Sequence, residues 1–135
     1  MSEFELHETL AADTAEAASW PLCRVLLMND SRYPWLILVP ARPDKTEIHD
    51  LDPADQSLLI TEIDRASRAL SRLVSPHKIN VAAIGNIVAQ LHIHVVARFR
   101  TDDAWPAPVW GSHPPRPYEA AVRDETLDRL RQALS

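Results

Sequence analysis

Two histidines, His92 and His94, stand two residues apart in the segment G-N-I-V-A-Q-L-H-I-H-V-V-A-R, residues 85–98. The apolar residues around them predict a strand over Leu91–Val96. Side chains alternate along a strand, so Gln90, His92 and His94 would share one face while Leu91, Ile93 and Val95 point into a core. Successive side chains on one face lie roughly 7 Å apart, and such a row can span adjacent oxygens of a phosphoanhydride. A neutral imidazole can attack phosphorus through one nitrogen if the other donates a hydrogen bond that fixes the tautomer. A second imidazole can hold or protonate neighbouring oxygens as charge develops. This route uses neither a metal nor a glycine-rich loop.

The His-x-His pair alone also fits an incidental surface pair or half of a metal site. A metal site needs a third and usually a fourth ligand. His7, His49, His77 and His113 are scattered, and no Asp or Glu stands at a suggestive spacing, so metal is the weaker reading. Trp35, Trp105 and Trp110 could stack a base, although tryptophans in a small domain more often anchor a core. Arg98 and Arg100 could aid phosphate binding or be solvated strand-end residues. Cys23, inside an apolar run, reads as buried and inert.

The elements that must hold these residues are legible in outline. Phe4–Trp20 is ambiguous: Leu6, Leu10 and Ala11 have helical spacing, while Ala15–Trp20 fits a short edge strand. Cys23–Met28 (CRVLLM) and Trp35–Val39 (WLILV) predict two strands joined by the polar turn at Asn29-Asp30-Ser31, hence a hairpin. Asp52-Pro53 reads as a helix start, an N-cap acceptor followed by proline at the first helical position. Leu59, Ile63, Ala66, Leu70 and Leu73 then recur at helical spacing until Ser75-Pro76. Ile79–Ile84 and Leu91–Val96 are two further strands, separated at Gly85-Asn86. Trp105–Pro117 holds five prolines and two tryptophans and reads as ordered loop. Leu127, Leu130 and Leu134 suggest an amphipathic C-terminal helix. The pattern predicts an α+β domain with an antiparallel sheet.

Composition narrows the function classes. At 135 residues the chain is one domain, 1–135, able to bury a real core. A formal net charge of −5 argues against a nucleic-acid partner, which needs a basic face. Gly85 and Gly111 are the only glycines, so neither a Walker nor a Rossmann phosphate loop is present. The apolar runs are too short to cross a bilayer, and no signal peptide is evident. One cysteine fits a reducing compartment, so the expected location is cytoplasmic, with no membrane partner.

Residues 85–98 resemble the signature of the histidine-triad family, G-Q-x-x-x-H-φ-H-φ-H-φ-φ with φ apolar. Leu91, Ile93, Val95 and Val96 match the φ positions, His92 and His94 fall on the second and third histidines, and Gln90 on the first. Gly85-Asn86 falls on the Gly-Gln pair. The hairpin M-N-D-S-R-Y-P-W-L-I-L-V-P is similar to the family's ribose-contacting strand and turn, and Trp105-Pro106 is loosely like its C-terminal Trp-Pro region. The resemblance covers about residues 20–110. It implies an α+β fold with a five-stranded antiparallel sheet, one main helix and a C-terminal helix, usually as a homodimer. It also implies hydrolysis or transfer at the α-phosphate of a nucleoside phosphoramidate, dinucleoside polyphosphate or similar conjugate, through a covalent nucleotidyl-histidine and without a cofactor. By the same resemblance His92 would be the nucleophile and His94 a phosphate ligand, with Gln90 supporting the site. Asn86 would donate to phosphate oxygens, and Asn29 or Asp30 would bind ribose hydroxyls. Gln90 cannot become cationic, and Asn86 is one carbon shorter than the family's Gln. A catalytically weak nucleotide sensor of the same fold is therefore the alternative to an enzyme.

Overall fold

A computed structural model describes residues 3–135. Helix α1 (Glu8–Asp13) leads directly into strand β1 (Thr14–Ser19), so both readings of the ambiguous first segment hold, in succession. Strands β2 (Cys23–Met28) and β3 (Trp35–Pro40) follow, then a 3-10 turn at Ile48–Asp50 and the long helix α2 (Pro53–Val74). Strands β4 (Lys78–Ala82) and β5 (Ile93–Arg98) and helix α3 (Ala120–Leu134) complete the chain. The five strands form one antiparallel sheet in the order β1-β2-β3-β5-β4. The α+β class and the five-stranded sheet expected from the resemblance are thus present.

The sheet separates two apolar layers because its central strands are covered on both faces. On one face Val25, Leu36, Leu38, Ile93, Val95 and Ala97 pack under α2 and α3, whose Leu59, Ala66, Leu70, Leu127 and Leu130 are buried. On the other, Leu26, Trp35, Ile37 and Val96 meet Leu10 of α1 and Val109 of the proline-rich segment. Asp52 caps α2 by accepting from the Asp55 N–H, and Ser75 ends it in the left-handed region at φ 47°. Glu62 is buried within α2 because its two carboxylate oxygens accept the Leu22 and Cys23 N–H groups at 3.0 and 2.8 Å. That pair of bonds ties the helix to the turn between β1 and β2.

The strand boundaries near the histidines differ from expectation. The expected strand over Leu91–Val96 is shifted, with β5 starting at Ile93, and the expected Ile79–Ile84 strand ends at Ala82. Residues 83–92 make a non-strand connection in which Gly85 takes φ +71°, the left-handed region that glycine enters without a Cβ penalty. Leu91 N–H donates to the Lys45 carbonyl instead of to a strand partner, and this fixes the approach to β5.

Candidate active site

His92 is the last residue before β5, and His94 lies within it, opposite Ile37 of β3 and Ala82 of β4. Both are nearly buried, 7% and 8% exposed, with ring centroids 5.0 Å apart. The same cavity, about 470 Å³, is lined by both rings together with Trp35, Trp110, Asp30 and Asn86. Its floor is the sheet face described above, and α1 contributes Thr9, Leu10 and Asp13 to its wall.

Hydrogen bonding puts the two imidazoles in opposite tautomers. His92 Nδ1 lies 2.6 Å from the Gln90 carbonyl oxygen. A carbonyl only accepts, so Nδ1 carries the hydrogen and, in the neutral ring, Nε2 is the bare nitrogen. For His94 the partner is the indole of Trp35, whose Nε1–H donates to Nδ1 at 3.0 Å. An indole only donates, so Nδ1 is the bare nitrogen and the neutral ring carries its hydrogen on Nε2. Burial, reinforced by the neighbouring His92, pushes the His94 pKa down from 6.5 to about 4, which keeps the ring neutral at pH 7. The pair therefore offers one nitrogen nucleophile and one N–H donor side by side.

The other expected site residues are divided among several places. Asn86 lines the cavity from the 83–92 connection. Asp30 also lines it, buried, with its carboxylate gripped by Arg32 at 2.9 Å and by the Arg32 N–H at 3.1 Å. Burial pushes the Asp30 carboxyl up, but the Arg32 bonds outweigh it and hold the group below its ordinary value. Asn29 is elsewhere: its side-chain oxygen accepts the Tyr118 N–H at 2.9 Å and anchors the segment leading into α3.

Gln90 differs most from expectation, because the strand that would have aligned it with the histidines begins only at Ile93. Its amide accepts the His7 N–H and donates to the Glu5 carbonyl, both at 2.8 Å, and it lines a separate surface cleft with Glu3, Glu5 and Lys45. It latches the segment that leads into α1, while its backbone carbonyl orients His92. Among the described residues, no group of three or more His, Cys, Asp or Glu side chains is placed to hold a metal ion. No helix among them is long and apolar enough to cross a membrane.

The HIT domain profile matches residues 13–101, which span the whole sheet and both histidines. The chain belongs to the histidine-triad family. Three solved histidine-triad proteins resemble it along nearly their whole length. One from Bradyrhizobium japonicum is 45% identical over 99% of this chain and 100% of its own, with a TM-score of 0.96. Another, from Marinobacter aquaeolei VT8, is 44% identical over 98% and 97%, with a TM-score of 0.96. A third, from Sinorhizobium meliloti 1021, is 41% identical over 97% of each chain, with a TM-score of 0.94. No curated protein sequence matches this chain.

Within this histidine-triad domain, Trp35 is a core anchor, the commoner of the two readings its sequence allows, and it has a further role that the sequence does not show. It is buried in the apolar cluster on the cavity side of the sheet, its N–H orients His94, and its ring packs 6.2 Å from that of Trp110. A usable signal existed: Trp35 and His94 share the cavity face if β3 and β5 are neighbours, but that pairing is not local in the sequence. The contribution of α1 to the wall had no signal beyond its helical spacing.

Proposed function

We propose that this histidine-triad protein is a nucleotide hydrolase or nucleotidyl transferase acting at the α-phosphate of a nucleotide conjugate through a covalent nucleotidyl-His92. The observation that carries the reading is the complementary tautomer pair: a bare Nε2 on His92 beside an Nε2–H on His94. In the first step the His92 Nε2–P bond forms and the bond from phosphorus to the leaving atom breaks. The electron pair departs with the leaving atom, which takes a proton from solvent. Water then attacks phosphorus, the Nε2–P bond breaks with its pair returning to the imidazole, and the released proton goes to solvent. Throughout, His94 Nε2–H and the Asn86 amide serve as donors to the non-bridging oxygens. The aromatic and aliphatic walls of the cavity suit a nucleoside, with Asp30 rather than Asn29 near its ribose. Turnover of nucleoside phosphoramidates and dinucleoside polyphosphates by purified protein in the presence of chelator tests the reading. Activity lost in His92→Ala with the fold intact supports it, and retained activity rejects it.

The weak-sensor reading has one observation in its favour: Arg32 already occupies the Asp30 carboxylate, which limits what ribose can gain there. Equilibrium binding without turnover would favour that alternative. A homodimer is part of the proposal. It is supported by apolar side chains left exposed at the free edge of β4 and just beyond it, Val81, Ile84 and Ile87, the last 97% exposed. Sedimentation showing a monomer would count against it. The single buried cysteine is in keeping with a cytoplasmic setting.

A further inference from the structure

A second cavity, about 270 Å³, lies on the helix side of the sheet, between α2 and α3. Its floor is Leu27 of β2 and Leu36 of β3, both part of the core under the helices. Leu73 and Val74, at the end of α2, form one wall, and Val122, Thr126, Arg129 and Leu130 of α3 form the other. We propose that this cleft is a binding site for a monocarboxylate with an unbranched aliphatic chain. The chain lies over the apolar floor and the carboxylate meets Arg129. The site stands whether or not His92 forms a nucleotidyl bond.

Shape, apolarity and charge each narrow the occupant. Val122, Thr126, Arg129 and Leu130 stand at i, i+4, i+7 and i+8, so the cleft follows about 12 Å along one side of α3. About 270 Å³ spread over that length is a slot for an extended chain, whereas the cavity at the histidines has about 470 Å³. Leu27 and Leu36 are 2% and 0% exposed, but Val122 is 48% exposed, an apolar wall residue that the fold leaves uncovered. An aliphatic chain laid between them removes apolar surface from water and needs no hydrogen-bond partner. Charge fixes the polar end. Among the described residues that line the cleft there is no Asp or Glu. The Thr126 hydroxyl donates to the Val122 carbonyl, so Arg129 supplies the free donors of the α3 wall. Arg129 makes no ion pair with a described residue, although Glu125 stands one turn before it and the chain's net charge is −5. An unpaired guanidinium toward one end of an apolar slot matches a carboxylate and repels an ammonium. Trp35 borders both this cleft and the main cavity, so the occupant lies behind the residue that orients His94.

Octanoate, octanol and octylamine, each kept below the concentration at which it aggregates, are titrated into the protein while the methyl signals of Leu73, Val74 and Val122 are followed. Octanoate should move those signals and bind about threefold more tightly than octanol, with octylamine weaker again by about as much, the size of an exposed ion pair. Arg129→Gln should level the three affinities while leaving the apolar contribution. Val122→Trp, whose ring can fill the slot from its exposed side, should abolish binding of all three. Melting temperatures of the variants check that the fold is intact. Failure of octanoate to bind, equal affinities in the parent, or a series unchanged by either variant overturns the site. Signals that move at Leu10 and Val109 instead would put the ligand in the cavity at the histidines, and that also overturns it. So would methyl shifts that follow protein concentration rather than ligand, which would mark the cleft as a contact between two copies of the chain.

Discussion

Replacing Trp35 with Phe separates the orienting hydrogen bond from most of the packing around it. The indole N–H to His94 Nδ1 bond is 3.0 Å long and buried, and its loss leaves Nδ1 without a partner in a site only 8% exposed. An orphaned buried acceptor costs about 1–3 kcal/mol, so a clear fall in melting temperature is expected. The chemical consequence is larger in kind. Without the indole, the neutral His94 ring can move its hydrogen to Nδ1, and molecules that do so present a lone pair where the phosphoryl oxygen needs a donor. Complete loss of one such donor costs on the order of 10² to 10³ in rate, and a mixed tautomer population should cost about tenfold. Single-turnover rates with a nucleoside phosphoramidate, read beside the ¹⁵N shifts of both His94 ring nitrogens, follow the two quantities together. Trp110→Phe is the control: its ring also lies against His94, 5.4 Å between centroids, but its Nε1 has no hydrogen-bond partner among the described residues. It should leave the tautomer alone. A Trp35→Phe protein whose His94 changes tautomer with no loss of rate would refute the donor role.

Acid should destabilise the fold through His94. Its pKa is depressed in the folded state, so the unfolded chain takes up the proton first. The penalty is absent at pH 7, begins as pH falls through 6.5 and is complete below about 4, reaching about 3 kcal/mol. Urea titrations of wild type and His94→Asn across that window should converge toward low pH, and parallel curves would contradict the shift. Glu62→Ala strands the buried Leu22 and Cys23 N–H groups and should lower stability by about 3 kcal/mol in denaturant melts, with no specific effect on substrate binding. Gln90→Ala should increase amide exchange near His7 and cost about 1 kcal/mol, while the chemical step slows far less than in His92→Ala. Equal damage from the two would show that Gln90 acts on the substrate.

Local pattern carried the sequence reading a long way where the signal was itself local. Helix α2 was visible from its N-cap, proline and apolar stripe, and β2 and β3 from apolar runs bounded by turn residues. The face of His94 followed from simple alternation, since Ile93 and Val95 do pack under the helices. Where long-range contacts decide, the sequence was silent. The Lys45 carbonyl takes the Leu91 N–H and delays the start of β5, so alternation no longer governs Gln90. Its amide instead finds backbone partners more than eighty residues away. Asn29 and Asp30 looked equivalent in a turn, and only the arrival of Tyr118 and the reach of Arg32 distinguish them. The tautomers needed a strand pairing that brings Trp35 beside His94.

The proposed reaction bonds His92 Nε2 covalently to phosphorus. The most direct measurement mixes the protein with a nucleoside 5′-phosphoramidate for less than one turnover, quenches in alkali to protect the acid-labile N–P bond, and weighs the intact chain and its peptides. The expected result is a single nucleotidyl group on the peptide carrying His92, absent from His92→Ala. A nucleotidyl group on another residue, or wild-type turnover in His92→Ala, would contradict it.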